Sequence, residues 1–416
     1  MHEQIKAALS GCRVLDLTCG RGHLCGKILG DQGADVIKIE PPGGDPARRI
    51  GPYYHDIPDP EKSLFWFAFN ANKRGITLNI ESETGRDIFK RLAKEAHFLI
   101  ESFHPDYLAA LGLDYPILSE LNPGIVMTAI TPFGQDGPYK DFKGPDIVAM
   151  AMSGQMWLSG DPDRAPLRVS IPQAFLHAGA EAAVGSLLAH WHRELTGDGQ
   201  FVDVSAQECV SWECFNAQAV WDLLGVNLKR EGIFRQFGPF KARYIYPCKD
   251  GQAIFLMVGG HIGAKGQKAL VEWMDSEGMA DDFLRNFDWP AFDAHAYTDE
   301  VARKLEPQFA EFFKTKTKAE LLDANIKFNA LLAPMNTVQD VVEGPQFIAR
   351  ECFVSVEHPE LETEIIYPCA PFKSSELPPR IRRRAPLVGE HNQAVYQEEL
   401  GFSAFQVSAL KREGVI

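Results

Sequence analysis

The chain has 416 residues, 45% of them hydrophobic and 24% charged, a globular composition that excludes disorder, collagen-like repeats and a coiled coil. Its length exceeds one ordinary core and predicts two domains, or one domain with a large elaboration. Net charge is −14, from 42 Lys and Arg against 56 Asp and Glu, which excludes a general nucleic-acid binder and leaves any anionic ligand dependent on a local pocket. No run of about 18 uncharged apolar residues occurs, and MHEQIKAALSGCRV lacks the apolar core of a signal peptide, so a soluble, cytoplasmic protein is expected.

RVLDLT (Arg13–Thr18) reads as a buried strand, followed by a glycine turn and a helical run through Leu29. ADVIKIE (Ala34–Glu40) and GITLNI (Gly75–Ile80) read as the next two strands. Helix Glu83–Ala96, strand His97–Ser102, helix Asp106–Leu111 and strand Gly124–Ile130 continue the series. Such alternation predicts βαβ units and a parallel sheet. From Ser170 to Leu195 a helix carries Ala180, Val184, Leu187, Leu188 and Trp191 on one apolar stripe. TGDGQ (Thr196–Gln200) then turns into another strand, FVDVSAQ.

After about Gly225 the texture changes. Arg243–Val258 reads as a hairpin with its turn at Lys249–Gly251, and acidic, aromatic helical segments run to about Leu332. Pro334–Phe347 resumes the α/β style, and the Pro- and Arg-rich segment 371–389 must be largely extended. A large domain of residues 1–225 and 331–416 is therefore expected, with a small α+β domain, 226–330, inserted in it. The eight cysteines are scattered, without a CxxC pair or zinc spacing, and read as thiols of a reducing compartment, so no metal site is expected.

The opening RVLDLTCGRGHL…GADVIKIE follows the plan of a nucleotide-type site. Backbone N–H groups at a helix N-terminus would face an anion, and Glu40 would take a ribose hydroxyl. VLDLTCGRG also resembles the first motif of S-adenosylmethionine-dependent methyltransferases. A plain βα turn that needs glycine accounts for the same residues, and a lone glycine motif is weak.

Five further segments keep a fixed order: FNANKRGITLNIESETGRDIFKRL, ESFHPDYLAALGLDY, LNPGIVMTAITPFGQDGPYKDFKGPDIVAMAMSG, RELTGDGQFVDVSAQE and APLVGEHNQAVYQEELGF. Together they resemble the family III (CaiB/BaiF) CoA-transferases over essentially the whole chain, whereas the methyltransferase resemblance stops after Glu40. The family resemblance implies a Rossmann-like large domain, a small domain and two chains interlocked like linked rings, with CoA or acyl-CoA as substrate rather than resident cofactor. It implies that Asn72, Lys73 and Arg74 lie beside the CoA phosphates, although a basic pair in a turn is also what a solvated surface shows. Ser102 and Phe103 stand where the family packs the adenosine region, and Lys143 and Asp146 match positions near CoA. Cys19, Gly20 and Arg21 replace the family's loop against the pantetheine, one residue shorter here, and Pro41 falls where some relatives place an arginine over adenine. Gly259–Gln267 falls where relatives have a mobile glycine-rich loop over the active site; a plain hairpin exit reads equally well. The run Arg380–Arg384 reads as a chain-to-chain contact or solvated surface.

Family chemistry, as the resemblance implies it, starts with an aspartate near the start of the helix before TGxGQ. That carboxylate attacks the acyl-CoA thioester to give a mixed anhydride, then an aspartyl-CoA thioester from which the incoming acid takes CoA. Counting back from Thr196–Gln200 places Phe175 at that position, with Gly179 matching the family's helix glycine, and no Asp or Glu lies between Val169 and Ala180. Some members are heteromers in which only one of two related subunits carries the aspartate, and IPQAFLHAG looks similar to the aspartate-lacking kind. The resemblance therefore implies a subunit that moves CoA between a donor such as succinyl-CoA and a carboxylic acid such as the aromatic dicarboxylate benzylsuccinate, with a paralogous catalytic subunit as partner. An acyl-CoA racemase using His177 or Asp146 as base, or a non-catalytic CoA-binding scaffold, remains the alternative.

Overall fold

The computed structural model describes residues 7–237, 240–293 and 296–416. Residues 1–6, part of the segment read for a signal peptide, lie outside it. The elements run β1 (Arg13–Leu17), α1 (His23–Asp31), β2 (Asp35–Glu40), α2 (Leu64–Asn70), β3 (Lys73–Thr77), α3 (Glu83–Ala93), β4 (Phe98–Glu101), α4 (Tyr107–Ala110), α5 (Tyr115–Leu121) and β5 (Val126–Thr131). They continue α6 (Asp146–Met152), α7 (Ala174–Thr196), β6 (Phe201–Ser205), α8 (Ala206–Trp212), α9 (Phe215–Leu224), β7 (Phe234–Phe237), β8 (Phe240–Arg243), β9 (Ile245–Cys248) and β10 (Gly251–Phe255). Then come α10 (Gly260–Ser276), α11 (Asp282–Arg285), α12 (Asp299–Lys314), α13 (Lys318–Phe328), β11 (Leu332–Pro334), α14 (Val338–Val342), α15 (Pro345–Ala349), β12 (Phe353–His358), β13 (Thr363–Pro368) and α16 (Ala404–Arg412).

Two compact units emerge: Met1–Gln155 with Arg168–Ala219 and Pro345–Ile416, and Met156–Leu167 with Val220–Gly344. In the first, six parallel strands lie in the order β3-β2-β1-β4-β5-β6. That is the doubly wound order, whose direction reverses between β1 and β4 and opens a crevice at the carboxyl ends of the strands. Continuous burial of β1, β2, β4 and β5 follows from helices on both faces. No helix among the described residues is long and apolar enough to cross a membrane.

The edge strand β3 is covered by the C-terminal segment. Gly75 N donates to His391 Nδ1 (3.1 Å) while His391 N donates to Gly75 O (2.9 Å), and Thr77 N donates to Asn392 Oδ1 (2.9 Å). Tyr396 Oη donates to Thr77 O (2.6 Å). These bonds occupy backbone groups that an open edge would offer to another chain. The extended segment before them is clamped by Asn72, whose Oδ1 accepts from Arg382 N (2.6 Å) and whose Nδ2 donates to Arg380 O (2.8 Å).

The second unit packs a three-stranded antiparallel sheet, β11-β10-β9, on helices through Tyr246, Phe255, Phe309 and Phe313. The Arg243–Val258 hairpin forms with Gly251 opposite Cys248. Gly259–Gln267, which reads either as a mobile glycine-rich loop or as a plain hairpin exit, is largely the start of helix α10. A Cβ on Gly263 would lie 2.0 Å from Val258 O, and one on Gly266 2.1 Å from Asn329 O, so these glycines let a helix press against neighbouring backbone.

Helix α7 corrects the reading of its stripe. Its buried face is made of small residues, Ala178, Ala182, Ala183, Ser186 and Ala189. Val184, Leu188 and Trp191 are 51%, 67% and 66% exposed. Periodicity locates a helix but does not say which of two apolar faces the chain's own core takes, and close packing on α1 and β5 favours the small one.

Candidate functional site

The site builds from the turn after β1. Gly20 and Gly22 both take positive φ (70° and 77°), which bends the chain from strand to helix within the five residues Thr18–Gly22. The turn is pinned from beneath: Cys19 N donates to Ser102 Oγ (2.8 Å), Ser102 Oγ donates to Arg21 O (3.1 Å), and Gly20 N donates to Asp45 Oδ1 (3.1 Å). Ser102, at the end of β4, thus ties the two strands that flank the topological switch. Two backbone donors of the turn, Cys19 N and Gly20 N, are thus engaged by the protein's own side chains, while the N-terminus of α1 has no side-chain cap.

Under the turn lies a buried polar cluster. Lys73 has no exposed surface, and its ammonium donates to Asp16 Oδ2 (2.7 Å), His23 O (2.8 Å) and Asn70 Oδ1 (2.9 Å). Lys38, equally buried, donates to Thr18 O and faces Asp45 Oδ2 at 3.3 Å. Burial alone would push the Asp16 carboxyl up, but Lys73 and Lys38 outweigh it and hold it well below the usual carboxylate range. Thr18 gives its hydroxyl proton to Asp16 (2.5 Å), so His23 Nδ1, 2.9 Å from the same oxygen, must be the donor there. Burial, with Lys38 and Lys73 adding to it against the pull of Asp45, lowers the His23 pKa to about 3 and keeps the ring neutral.

Several expected ligand contacts are therefore occupied internally. Lys73 belongs to the buried cluster, and Asn72 holds the linker. Arg74 forks onto Asp35 (2.8 and 2.7 Å) and pairs with Glu399. Glu40, expected to take a ribose hydroxyl, is fully buried and receives Arg48 Nε (2.6 Å), Arg48 Nη2 (2.8 Å) and Asp45 N (2.8 Å). A basic pair written at the start of a strand looks the same whether it meets phosphate or a carboxylate beneath the sheet. Arg380–Arg384 likewise contacts its own unit: Arg382 donates to Gly30 O (2.7 Å), and Arg384 pairs with Glu360 and Glu390.

Two cavities share the turn as a wall. The first, about 450 Å³, lies at the carboxyl ends of β1, β2 and β3 and is lined by Cys19, Pro41, Asp45, Ile80, Phe103 and Tyr107 among others. Phe103 and Tyr107 form an aromatic pair with centroids 4.7 Å apart. Burial pushes the Cys19 thiol up, which opposes a thiolate role. The second cavity, about 480 Å³, is lined by Gly20–Leu24, Ile50, Leu64, Phe65, Phe69, Asp146, Ile171, Phe175 and neighbours. A Cβ on Gly179 would meet Leu24 Cβ at 3.0 Å, so glycine lets α7 approach α1 and brings Phe175 to this cavity. The Arg21 guanidinium sits 5.0 Å from the centroid of the Phe175 ring.

Asp146, the carboxylate on the wall of the second cavity, accepts from Ala174 N (2.8 Å) and so caps the N-terminus of α7. Lys143 is exposed and carries no hydrogen bond or ion pair among the described residues. His177 is not part of the cavity wall; its Nδ1 meets Glu213 Oε1 at 2.8 Å, and Glu213 Oε2 accepts from Gln155 (3.0 Å). No group of three or more His, Cys, Asp or Glu able to hold a metal occurs among the described residues.

Sequence reasoning passed over Asp45 and Glu101. GGDPARR carried a signal for the first, since Asp followed by Pro is a helix-start pair, and Asp45 does cap the short 46–49 helix through Ala47 N. Glu101, at the carboxyl end of β4, accepts from Phe103 N (2.6 Å). Burial, with Asp203 adding to it, pushes its pKa up to about 8, so it is largely protonated at neutral pH. Nothing local in sequence marks that.

The model of CoA-transferase family III matches residues 9–392. The chain is 35% identical over 411 residues to the BbsE subunit of succinyl-CoA:(R)-benzylsuccinate CoA-transferase from Thauera aromatica, covering 97% of both chains. It is 31% identical to the beta subunit of succinyl-CoA–L-malate CoA-transferase from Chloroflexus aurantiacus, covering 98% of both. Among solved structures, a CAIB/BAIF family protein from Brucella suis superposes with a TM-score of 0.80 at 28% identity, over 94% of this chain and 99% of that one.

Proposed function

Because the chain belongs to CoA-transferase family III, we propose that it is the CoA-binding, nucleophile-lacking subunit of a heteromeric CoA-transferase. It serves transfer of CoA from succinyl-CoA to a carboxylic acid such as the aromatic dicarboxylate benzylsuccinate. One observation carries the proposal: where the family's reacting carboxylate is expected, the cavity wall holds the apolar ring of Phe175 under a guanidinium. Phenylalanine forms neither the mixed anhydride nor the aspartyl thioester. The nearby Asp146 is engaged in capping α7, and Glu181 is not among the residues lining the cavity.

The relatives named as subunits support a paralogous partner, to which this reading assigns the aspartate. The exposed apolar face of α7, with Leu188 and Trp191 two-thirds exposed, supports a large protein interface there. The first cavity, at the switch of strand order, suits the adenosine end of CoA against Phe103, and Lys143, exposed and matching a family position near CoA, is the cation we assign to its phosphates.

Purified alone, the chain should move no CoA from succinyl-CoA to benzylsuccinate or another acid. Co-expression with an aspartate-bearing paralogue should yield a complex that does. Sustained turnover by the isolated chain would overturn the proposal.

A further inference from the structure

Buried or half-buried arginines of the large unit answer to carboxylates: Arg48 to Glu40, Arg74 to Asp35, Arg384 to Glu390, Arg13 to Asp35. Arg21 does not. Among the described residues no carboxylate oxygen lies within 4 Å of it, and its one hydrogen bond is a long contact from Nη1 to Gly144 O (3.5 Å). Five donors in a planar fork are thus nearly unused, on the wall of a cavity whose other surface is mainly Ile50, Leu64, Phe65, Phe69 and Ile171. The Phe175 ring covers part of the guanidinium at 5.0 Å, a contact weaker than an ion pair.

We propose that Arg21 and Phe175 make the second cavity a carboxylate-binding pocket for an organic acid with an apolar, ring-sized body. A guanidinium fork matches a carboxylate with two parallel hydrogen bonds, and the apolar wall strengthens them by excluding water. A single cation does not suit a polyphosphate, which needs several. Asp146 on the same wall repels a second anionic group, so the ligand carries one free carboxylate. It is a monocarboxylic acid, or a dicarboxylic acid whose other end is a thioester. Desolvation lowers the Arg21 pKa, in keeping with a cation that lacks its counter-ion. Phenylalanine at 175 thus has a positive role: an aspartate there would pair with Arg21 and fill the place of the ligand's carboxylate. This deepens the function proposed above, on which it rests for the reaction served but not for the binding itself.

The test is calorimetry on the full chain with 3-phenylpropionate and its neutral isostere 3-phenylpropionamide. The acid should bind at least tenfold more tightly than the amide. Arg21→Gln should bring the acid down to the amide's affinity and leave the amide unchanged. Phe175→Asp should also weaken the acid about tenfold or more, and it carries the test if Arg21→Gln does not fold. Equal binding of acid and amide, binding of neither, or unaltered acid binding in both variants would overturn the proposal. A parallel titration with CoA separates the two ideas. CoA binding without acid discrimination ends this one alone, and acid discrimination without CoA binding ends only the CoA-subunit reading.

Discussion

Replacing Lys73 with methionine separates a structural lysine from a phosphate ligand. In the folded chain the ammonium meets three acceptors within 2.9 Å, with no exposed surface. Methionine keeps much of the volume but leaves Asp16 buried with Thr18 and the more distant Lys38, 3.6 Å away. Breaking one side of a buried pair costs about 3–5 kcal/mol. At about 2 °C per kcal/mol for a large unit, the melting point should fall by roughly 6–10 °C. The deficit should depend on pH in a definite sense. Asp16 has its pKa lowered in the fold, so its stabilisation is complete above the unfolded value, about 4, and is lost as pH falls below it. The gap between wild type and Lys73→Met should therefore be full at pH 7 and shrink below pH 4. Near-UV circular dichroism against temperature at several pH values measures it, with CoA affinity by calorimetry alongside. An unchanged melting point together with a tenfold loss of CoA affinity would refute the assignment and return Lys73 to the ligand.

Lys143→Ala should leave melting unchanged and weaken CoA binding about tenfold, since one charge-assisted contact contributes roughly 1.5–3 kcal/mol; calorimetry on the complex decides. Glu101→Gln should remove a loss of stability that wild type shows as pH rises from about 4.5, the ordinary glutamate value, toward its folded value of about 8, because ionising the buried acid opposes folding over that window. Urea midpoints at pH 5 and pH 8 read the difference, which has an upper bound of about 5 kcal/mol. Asn72→Ala should free the 380–383 segment, seen as faster proteolysis there at unchanged melting of the second unit. Trp191→Asp should abolish assembly with a paralogue, read by sedimentation, while the chain stays folded.

Much of the α/β architecture was legible because buried parallel strands write themselves as apolar runs between helices. RVLDLT, VIKIE and HFLIES all became neighbours in one sheet. The strand read at Gly75–Ile80 begins two residues earlier, because Lys73 is drawn into the interior by Asp16, an attraction across 57 residues that no local pattern carries. The charges of the site were the least legible part. Lys73 and Arg74 are neutralised by carboxylates on other strands and Glu40 by Arg48 of the short 46–49 helix, whereas Arg21, written with no acidic neighbour in CGRGHL, has no carboxylate within 4 Å among the described residues. On α7, two faces both read as helix, and only the tight approach of α1 chose the alanine side.

The most direct test maps the covalent intermediate. The complex of this chain with an aspartate-bearing paralogue is incubated with succinyl-CoA, trapped with hydroxylamine, digested and read by mass spectrometry. A hydroxamate is expected on the paralogue's aspartate and on no residue of this chain, Asp146 and Glu181 included. A hydroxamate on a residue of this chain would contradict the proposed function.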